Sequence, residues 1–576
     1  MSTRELITEH LDLWTSAVTH QSGAGRGSNG KVELTGIKKL RELILELAVC
    51  GKLVEQDSND EPANVLLEKI AEEKARLVQE GKIKKPQKLP EINQEEVTAE
   101  LPITWSWARL GEFTNYGVTE KAEPGEVEDT SWVLELEDIE KESSRLLQRI
   151  LYKDRPFKSS KNRFIPGDVL YGKLRPYLDK VFVADRPGAC TTEIIPIRGF
   201  HGICPFYLRI ALKSSAFKSY ADDATHGMNL PRLGTDRARM AVLPLPPKEE
   251  QSRIAEKVDE LMALCDRLEQ QVGDQLEAHE LLVCTLLDAL TSSEDSGELG
   301  ENWAHVAEHF DSLFTTEASI DKLKQTILQL AVMGRLVPQA PKEEPGSVLQ
   351  DRINEERNRL KKFEGMRTKA SDHISPEEMY LGTPDDWAWV RLGNTAKFID
   401  YRGKTPKKTD KGKRLITAKN IRKGVIDKHP EEFISEEDYQ DWMTRGFPRK
   451  GDTLFTTEAP LGNAANVALQ EDFALAQRAI CFQWHIEEIS PFMLIQIMAN
   501  PFQEKLVENS TGMTARGIKS AKLKEIPVTL PPLSEQHRIV KKVGDLMELC
   551  DFLKFRIAGL ERCVGNMAET MVEQVK

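Results

Sequence analysis

No run of about 18 apolar residues interrupts the 576-residue chain, so no segment suits a membrane-spanning helix and no membrane partner is expected. The opening MSTRELITEH lacks the apolar core of a secretory signal, and the two absences together point to a cytoplasmic protein. Eight cysteines occur without a C-x-x-C pair or a cysteine–histidine cluster at zinc spacing. That argues against a disulfide framework or a zinc site and leaves buried thiols in a reducing compartment. Positive charge is in deficit. The formal net charge is −13, which as an average argues against a nucleic-acid partner. A complete Walker A loop is missing too. GAGRGSNGKVEL (Gly23 to Leu34) fits G-x-x-x-x-G-K over Gly25, Gly30 and Lys31, but Val32 stands where Ser or Thr should meet magnesium. The dinucleotide spacing Gly25-x-Gly27-x-x-Gly30 overlaps it, yet the amphipathic ELITEHLDLWTSAV precedes it where a strand is needed. A flexible or partner-contacting loop is expected, with Arg26 and Lys31 able to touch a phosphate backbone.

What is present is a duplication, in a chain too long for a single core. Leu245 to Leu268 aligns without gaps to Leu530 to Leu553, with 15 of 24 positions identical. Ile37 to Gln56 matches Ile320 to Gln339 at 12 of 20 positions. LPITWSWARLG and GTPDDWAWVRLG place Trp105, Trp107 and Arg109 over Trp387, Trp389 and Arg391. The offsets are 285, 283 and 282, so both copies keep one order with almost no length change. The glycine-rich piece is a 16-residue insertion in the first copy. The organisation is an N-terminal helical region (1–100), a unit (101–247), a central helical region (248–382), a second unit (383–532) and a C-terminal helix (533–576). Joined head to tail, the two ends rebuild the middle. This circular repeat implies a pseudo-twofold molecule with its termini close together.

From Glu249 apolar residues recur at spacings of four and three: Ile254, Val258, Leu261, Cys265, Leu268, Val272. Continued by heptads, the series reaches Gln275, His279, Leu282 and Leu286. In the second copy it runs through Ile539, Val543, Leu546, Cys550, Leu553, Ile557, Leu560, Val564, Met567 and Met571. Two such seams predict an antiparallel coiled coil, with prolines and an acidic first turn opening each helix. Some 40 residues at about 1.5 Å each would separate the units by roughly 60 Å.

The units themselves are more basic than the whole. Residues 102–247 and 384–532 each carry a net +2, so the negative charge lies in the helical remainder. Tyr401 to Gly424 has ten basic residues and one acid, and Lys161 to Lys180 interleaves Arg and Lys with Tyr171 and Tyr177. Such stretches suit phosphate positioning, with Arg and Asn nearby to read base edges. Alternating GDVLYGKL and GDTLFTTE read as strands, and FYLRIALKSSAFKSYA and PFMLIQIMANPFQEKLV as helices, giving two mixed α/β units.

The order of two unlike units and two repeated helical regions, with GKTP…ITAKNI (Gly403 to Ile421), GDVLYGKLRPYLDKV (Gly167 to Val181) and LPPLSEQHRIV (Leu530 to Val540), resembles the specificity subunit of type I restriction-modification systems. The resemblance covers nearly the whole chain. It implies a non-catalytic subunit whose two target recognition domains each read half of an asymmetric, bipartite site in double-stranded DNA, the coiled coil fixing the gap. It also implies partners: two modification subunits bringing S-adenosylmethionine, and restriction subunits bringing ATP and magnesium. The chain agrees by omission, since Asn500-Pro501-Phe502 falls one proline short of a methyltransferase motif.

Within that resemblance, the residues expected to contact DNA are Lys161, Arg163, Tyr171, Lys173, Arg175, Asn229 and Arg232 in the first unit. In the second they are Arg402, Lys404, Lys407, Lys408, Lys419, Asn420, Arg422 and Arg516. Between Asn115 and Ala224 the first unit scarcely aligns with the second, so two different surfaces and a non-palindromic target are expected. A coiled-coil scaffold that binds only proteins shares the helices and leaves the basic loops unexplained. A nucleotide hydrolase built on Gly25 to Lys31 is the other rival.

Overall fold

The computed structural model describes residues 7–20, 32–97, 99–226, 230–340, 342–364, 373–401, 406–512 and 516–575. They fall into two compact units: Met1–Leu276 with Gly559–Lys576, and Glu277–Ala558. Each unit is closed where the repeated W-x-W sequence enters and the proline-rich sequence leaves. In the first, Ser106–Arg109 pairs antiparallel with Val242–Leu245. In the second, Ala388–Arg391 pairs with Pro527–Leu530 in the same way. The strand after the Gly-Asp turn, all buried at Val169–Gly172 and at Thr453–Thr457, is central to its sheet. Both helix pairs expected from sequence are present, and both break at equivalent residues. Ser214 separates Pro205–Lys213 from Ser215–Asp223, and Ala499 separates Ser490–Met498 from Asn500–Glu508, each with extended backbone.

The stretch between Asn115 and Ala224, which hardly aligns in sequence with its counterpart, nonetheless has the same framework. Trp132–Leu134 runs parallel to Gly188–Cys190, and Lys413–Ile416 parallel to Phe473–Leu475. After each of these first strands comes a tight turn locked by one buried polar side chain. Asp138 accepts the Glu135 N–H, and Asn420 accepts the Thr417 N–H. Parallel pairing and turn geometry need only apolar strands and a short acceptor, so sequence identity can vanish while the framework persists.

Two recurrent polar locks explain why the repeats read as they do. Trp105 Nε1 and Gln56 Nε2 both donate to the Glu250 carboxylate, at 2.9 and 2.6 Å. Trp387 and Gln339 hold Glu535 identically, at 3.1 and 2.7 Å. Burial raises both carboxyls above the usual range, while the hydrogen bonds pull them back. The neighbouring Gln251 and Gln536 donate to the carbonyls of Pro246 and Pro531, so the repeated Glu-Gln pair ties each long helix to its unit. Arg109, 1% exposed, is likewise saturated by Glu96 and the carbonyls of Pro90, Glu91 and Met240. Arg391 bonds through Nη1 and Nη2 to Glu378 and the carbonyls of His373 and Glu525, and it lowers the Glu378 carboxyl to about 2.

The long helices span Lys248–Ser292 and Leu533–Glu573. Their buried stripes depart from the heptad continuation. Ile254, Val258, Leu261, Cys265 and Val272 are buried as expected, but burial then moves to Val283, Leu287 and Leu290, leaving Leu282 50% exposed. In the second helix Leu560 and Met567 are exposed while Ala568 and Val572 are buried, as is Val575 just beyond the helix end. Both shifts begin at positions 285 apart, Gln275 and Leu560. The reason is helical period: Ile254 to Leu290 is 36 residues, ten turns at about 3.6 per turn, whereas a heptad stripe drifts away.

Within the first unit, Val258, Leu261 and Val272 share one core with Ala568 and Val572, and also with the helix Thr35–Val49. Within the second, Leu287 and Leu290 share a core with Ile539 and Val543, and with the helix Glu317–Val332. All eight cysteines are free thiols; Cys190, Cys265, Cys481 and Cys550 are buried, but Cys563 is exposed, which corrects the expectation for that residue. No helix among the described residues is long and apolar enough to cross a membrane.

Candidate nucleic-acid interface

The strand after the Gly-Asp turn ends at a corner that the returning chain covers with backbone pairing. In the first unit Lys173 N donates to Glu193 O, Leu233 N to Lys173 O, and Arg175 N to Pro231 O. These bonds draw Lys173, Arg175 and Arg232, distant in sequence, onto one edge. Arg232 is 3.1 Å from Glu193, whereas Lys173 and Arg175 have no side-chain partner among the described residues. Tyr177 and Leu230 stand exposed beside them.

The second unit repeats two of these three bonds and the adjoining bridge. Thr457 N donates to Arg478 O and Ile518 N to Thr457 O, while Glu458 bridges Gly517 as Leu174 bridges Arg232. Here the corner carries Arg478 and Arg516, with Arg478 3.6 Å from Glu458. Arg478 was not among the expected contacts; a lone arginine inside the apolar FALAQRAICF was its only signal. Backbone strain marks the same places. Of seven non-glycine residues with positive φ among the described residues, Glu142, Ser144, Arg175 and Asp179 surround the first corner, and Ala459 and Arg478 lie at the second. Such conformations persist only where the surroundings impose them, and they gather at functional surfaces.

Beside each corner lies the locked turn. In the second unit it presents exposed Lys419, Arg422 and Lys423. Arg422 is 3.8 Å from Asp427. The equivalent turn of the first unit bears Glu137, Glu140 and Lys141. Basic charge thus occupies the corner in one unit and mainly the neighbouring turn in the other. Lys407 is exposed nearby, and Lys408 pairs with Glu432 at 2.8 Å.

Three expected contacts are corrected. Tyr171 is a core residue, 3% exposed and packed edge-on against Phe217, because it lies on the inner face of a central strand. Asn420, 1% exposed, spends its amide on the carbonyls of Asp427 and Pro430 and its oxygen on Thr417, leaving nothing for a base. Lys161 is largely covered and bound to Glu135. Arg163 is exposed on the five-stranded sheet, 4.0 Å from Glu126. Asn229, Arg402 and Lys404 lie outside the described residues, as does most of the glycine-rich stretch. Its flanks are described: Val32–Glu33 pairs with Thr19–His20, and the helix begins only at Thr35. A strand directly after Lys31 is not the helix N-terminus that a phosphate loop requires.

Among the described residues no group of His, Cys, Asp and Glu could hold a metal ion. The chain thus carries two related α/β units, each with a strained, cationic corner and a long helix locked to its base. A sequence model described as "Type I restriction modification DNA specificity domain" matches residues 384–562. The chain is 38% identical to the type I restriction enzyme EcoAI specificity subunit of Escherichia coli, covering 100% of this chain and 99% of that protein. It is 34% identical to the EcoEI specificity subunit of the same species, over the same shares. A chain solved in work on complex assembly and conformational transition of the type I R-M system is 19% identical, with a TM-score of 0.52, covering 83% of this chain and 99% of that one. That likeness concerns the fold. The chain belongs to the type I restriction-modification specificity subunits, the HsdS type.

Proposed function

We propose that this subunit reads double-stranded DNA with its two corners, each unit taking one half of an asymmetric, bipartite site. The observation that carries the reading is one framework bearing two unlike cationic strips. A shared framework sets two readers in equivalent poses, and unlike side chains make them read different bases. Lys173, Arg175 and Arg232 serve the first half-site; Lys407, Lys419, Arg422, Arg478 and Arg516 serve the second. The long helices pair with each other and fix the gap between half-sites. Two modification subunits carrying S-adenosylmethionine dock on the chain to form an adenine methyltransferase, and restriction subunits bring ATP and magnesium. The chain itself is non-catalytic and acts in the cytoplasm.

Sequencing methylated adenines in cells that carry this gene with its modification partner tests the reading. Two unlike motifs at a fixed separation are expected. A single uninterrupted motif, or a palindrome, would overturn it.

A further inference from the structure

The first corner is held by a device that the second lacks. Lys213, at the end of the helix Pro205–Lys213, is 8% exposed. Its ammonium donates to Asp179 Oδ2 at 3.0 Å, to Ser144 Oγ at 2.8 Å and to the Glu142 carbonyl at 2.7 Å. Ser144 Oγ in turn donates to the Asp179 carbonyl and accepts from Val181 N. Glu142 N donates to Leu178 O. One amine therefore clasps two loops, 142–144 and 175–179, and the second of these presents Arg175 and Tyr177. Glu142, Ser144, Arg175 and Asp179, all at positive φ, belong to these two loops. Left-handed backbone at non-glycine residues is sparsely populated unless held, and the clasp joins the two loops in which it occurs here.

In the second unit Met498 occupies the position of Lys213, 285 residues on, and its methyl group lies next to Gly424, the counterpart of Glu142. A glycine adopts positive φ without a clasp, and the apolar Met498 packs where the amine would stand. Burial pulls the Lys213 amine down to about 8, against the opposing pull of Asp179, so the clasp is a desolvated ion pair and not a surface contact.

We propose that Lys213 is a positioning residue for DNA specificity in the first unit only: through Asp179 and Ser144 it fixes the loop that aims Arg175. This rests on the corner reading above. The test uses the whole methyltransferase in cells, with genomic adenine methylation as the readout. Lys213→Met leaves the Asp179 carboxylate only the more distant Lys218, at 3.7 Å, and so lowers stability as well. The double variant Lys213→Met/Asp179→Asn removes both charges, separating stability from aim.

In the double variant one half of the recognition motif should relax, with methylation at sites mismatched in that half rising about tenfold, while the other half and the gap stay unchanged. Sites methylated as in the natural protein would overturn the proposal. So would equal relaxation of both halves, or a uniform fall in methylation without any change of motif, since either assigns Lys213 to general stability. A natural motif that is not bipartite would instead refute the reading on which the proposal stands.

Discussion

Arg175 and Tyr171 sit four residues apart, yet one faces solvent at a strained corner and the other lies 3% exposed in the core. The exposed guanidinium has no protein partner among the described residues, so its hydrogen-bonding fork is available to guanine. Arg175→Ala should weaken binding of the assembled methyltransferase to its specific duplex by about 1–3 kcal/mol, with relaxed preference at one base. Unchanged affinity in a titration at fixed salt removes Arg175 from the reading set. Lys407, exposed and without a side-chain partner among the described residues, has the features of a phosphate contact. Lys407→Ala should lower affinity alike for specific and unrelated duplexes and reduce the salt slope by about 1. A loss confined to the specific duplex would assign it to base reading instead. The sequence made the cationic stretches legible but not their orientation. Along a corner, alternation fails, and whether Asn420 faces a base or locks a turn is decided by its distance from Thr417, Asp427 and Pro430, which no local pattern encodes.

At the scale of elements, repeats were the legible signal because identity survives where packing is shared. The Glu-Gln start of each long helix, the W-x-W strand and the buried arginine were all visible as duplicated motifs, and each is a polar lock. The parallel strand pair and its turn were invisible, since many apolar sequences satisfy them. The seam was half legible. Its first five turns follow a heptad, but the structure reveals the later drift to the 3.6 period, which Leu282 and Leu286 obscure by being apolar themselves. Leu290→Ala should therefore cost about 2–5 kcal/mol, by the lost transfer energy and the cavity left. Leu282→Ala should stay within about 0.5 kcal/mol, as for other surface positions. Denaturant melts of the two variants check this, and equal losses would restore the heptad seam.

The Glu250 lock makes a pH prediction. Its folded carboxyl is raised above the unfolded value, so folding favours proton uptake there, and this residue's contribution to stability grows as pH falls through the folded value. Glu250→Gln removes that dependence and, by presenting an amide to a second donor, costs about 1–3 kcal/mol at neutral pH. Parallel pH-stability curves for variant and natural protein would refute the assignment.

For the whole molecule the decisive fact is that the last 18 residues belong to the same unit as the first 276. The end of the chain thus packs into the same unit as its beginning. Ala568, Val572 and Val575 complete the core around Ile37, Leu40 and Leu47, the Val575 carbonyl lies 3.9 Å from Cys50 Sγ, and Lys39 pairs with Glu569 at 3.3 Å. The second unit's core takes nothing beyond residue 558. Ending the chain after Ala558 should therefore injure the unit farther away in sequence and spare the one that the lost residues directly follow. Uncovering three buried side chains removes about 3–6 kcal/mol of burial from the first unit. Hydrogen exchange on the complex with its modification subunits provides the measurement: peptides from 35–49 and 254–272 should lose protection while those from 453–498 keep it. Since the first corner rests on the first unit's core through Tyr171 and Phe217, the half-site it reads should be the one whose methylation fails first. Equal loss of protection in both units, or loss confined to residues 453–498, would mean that the chain's end does not complete the beginning.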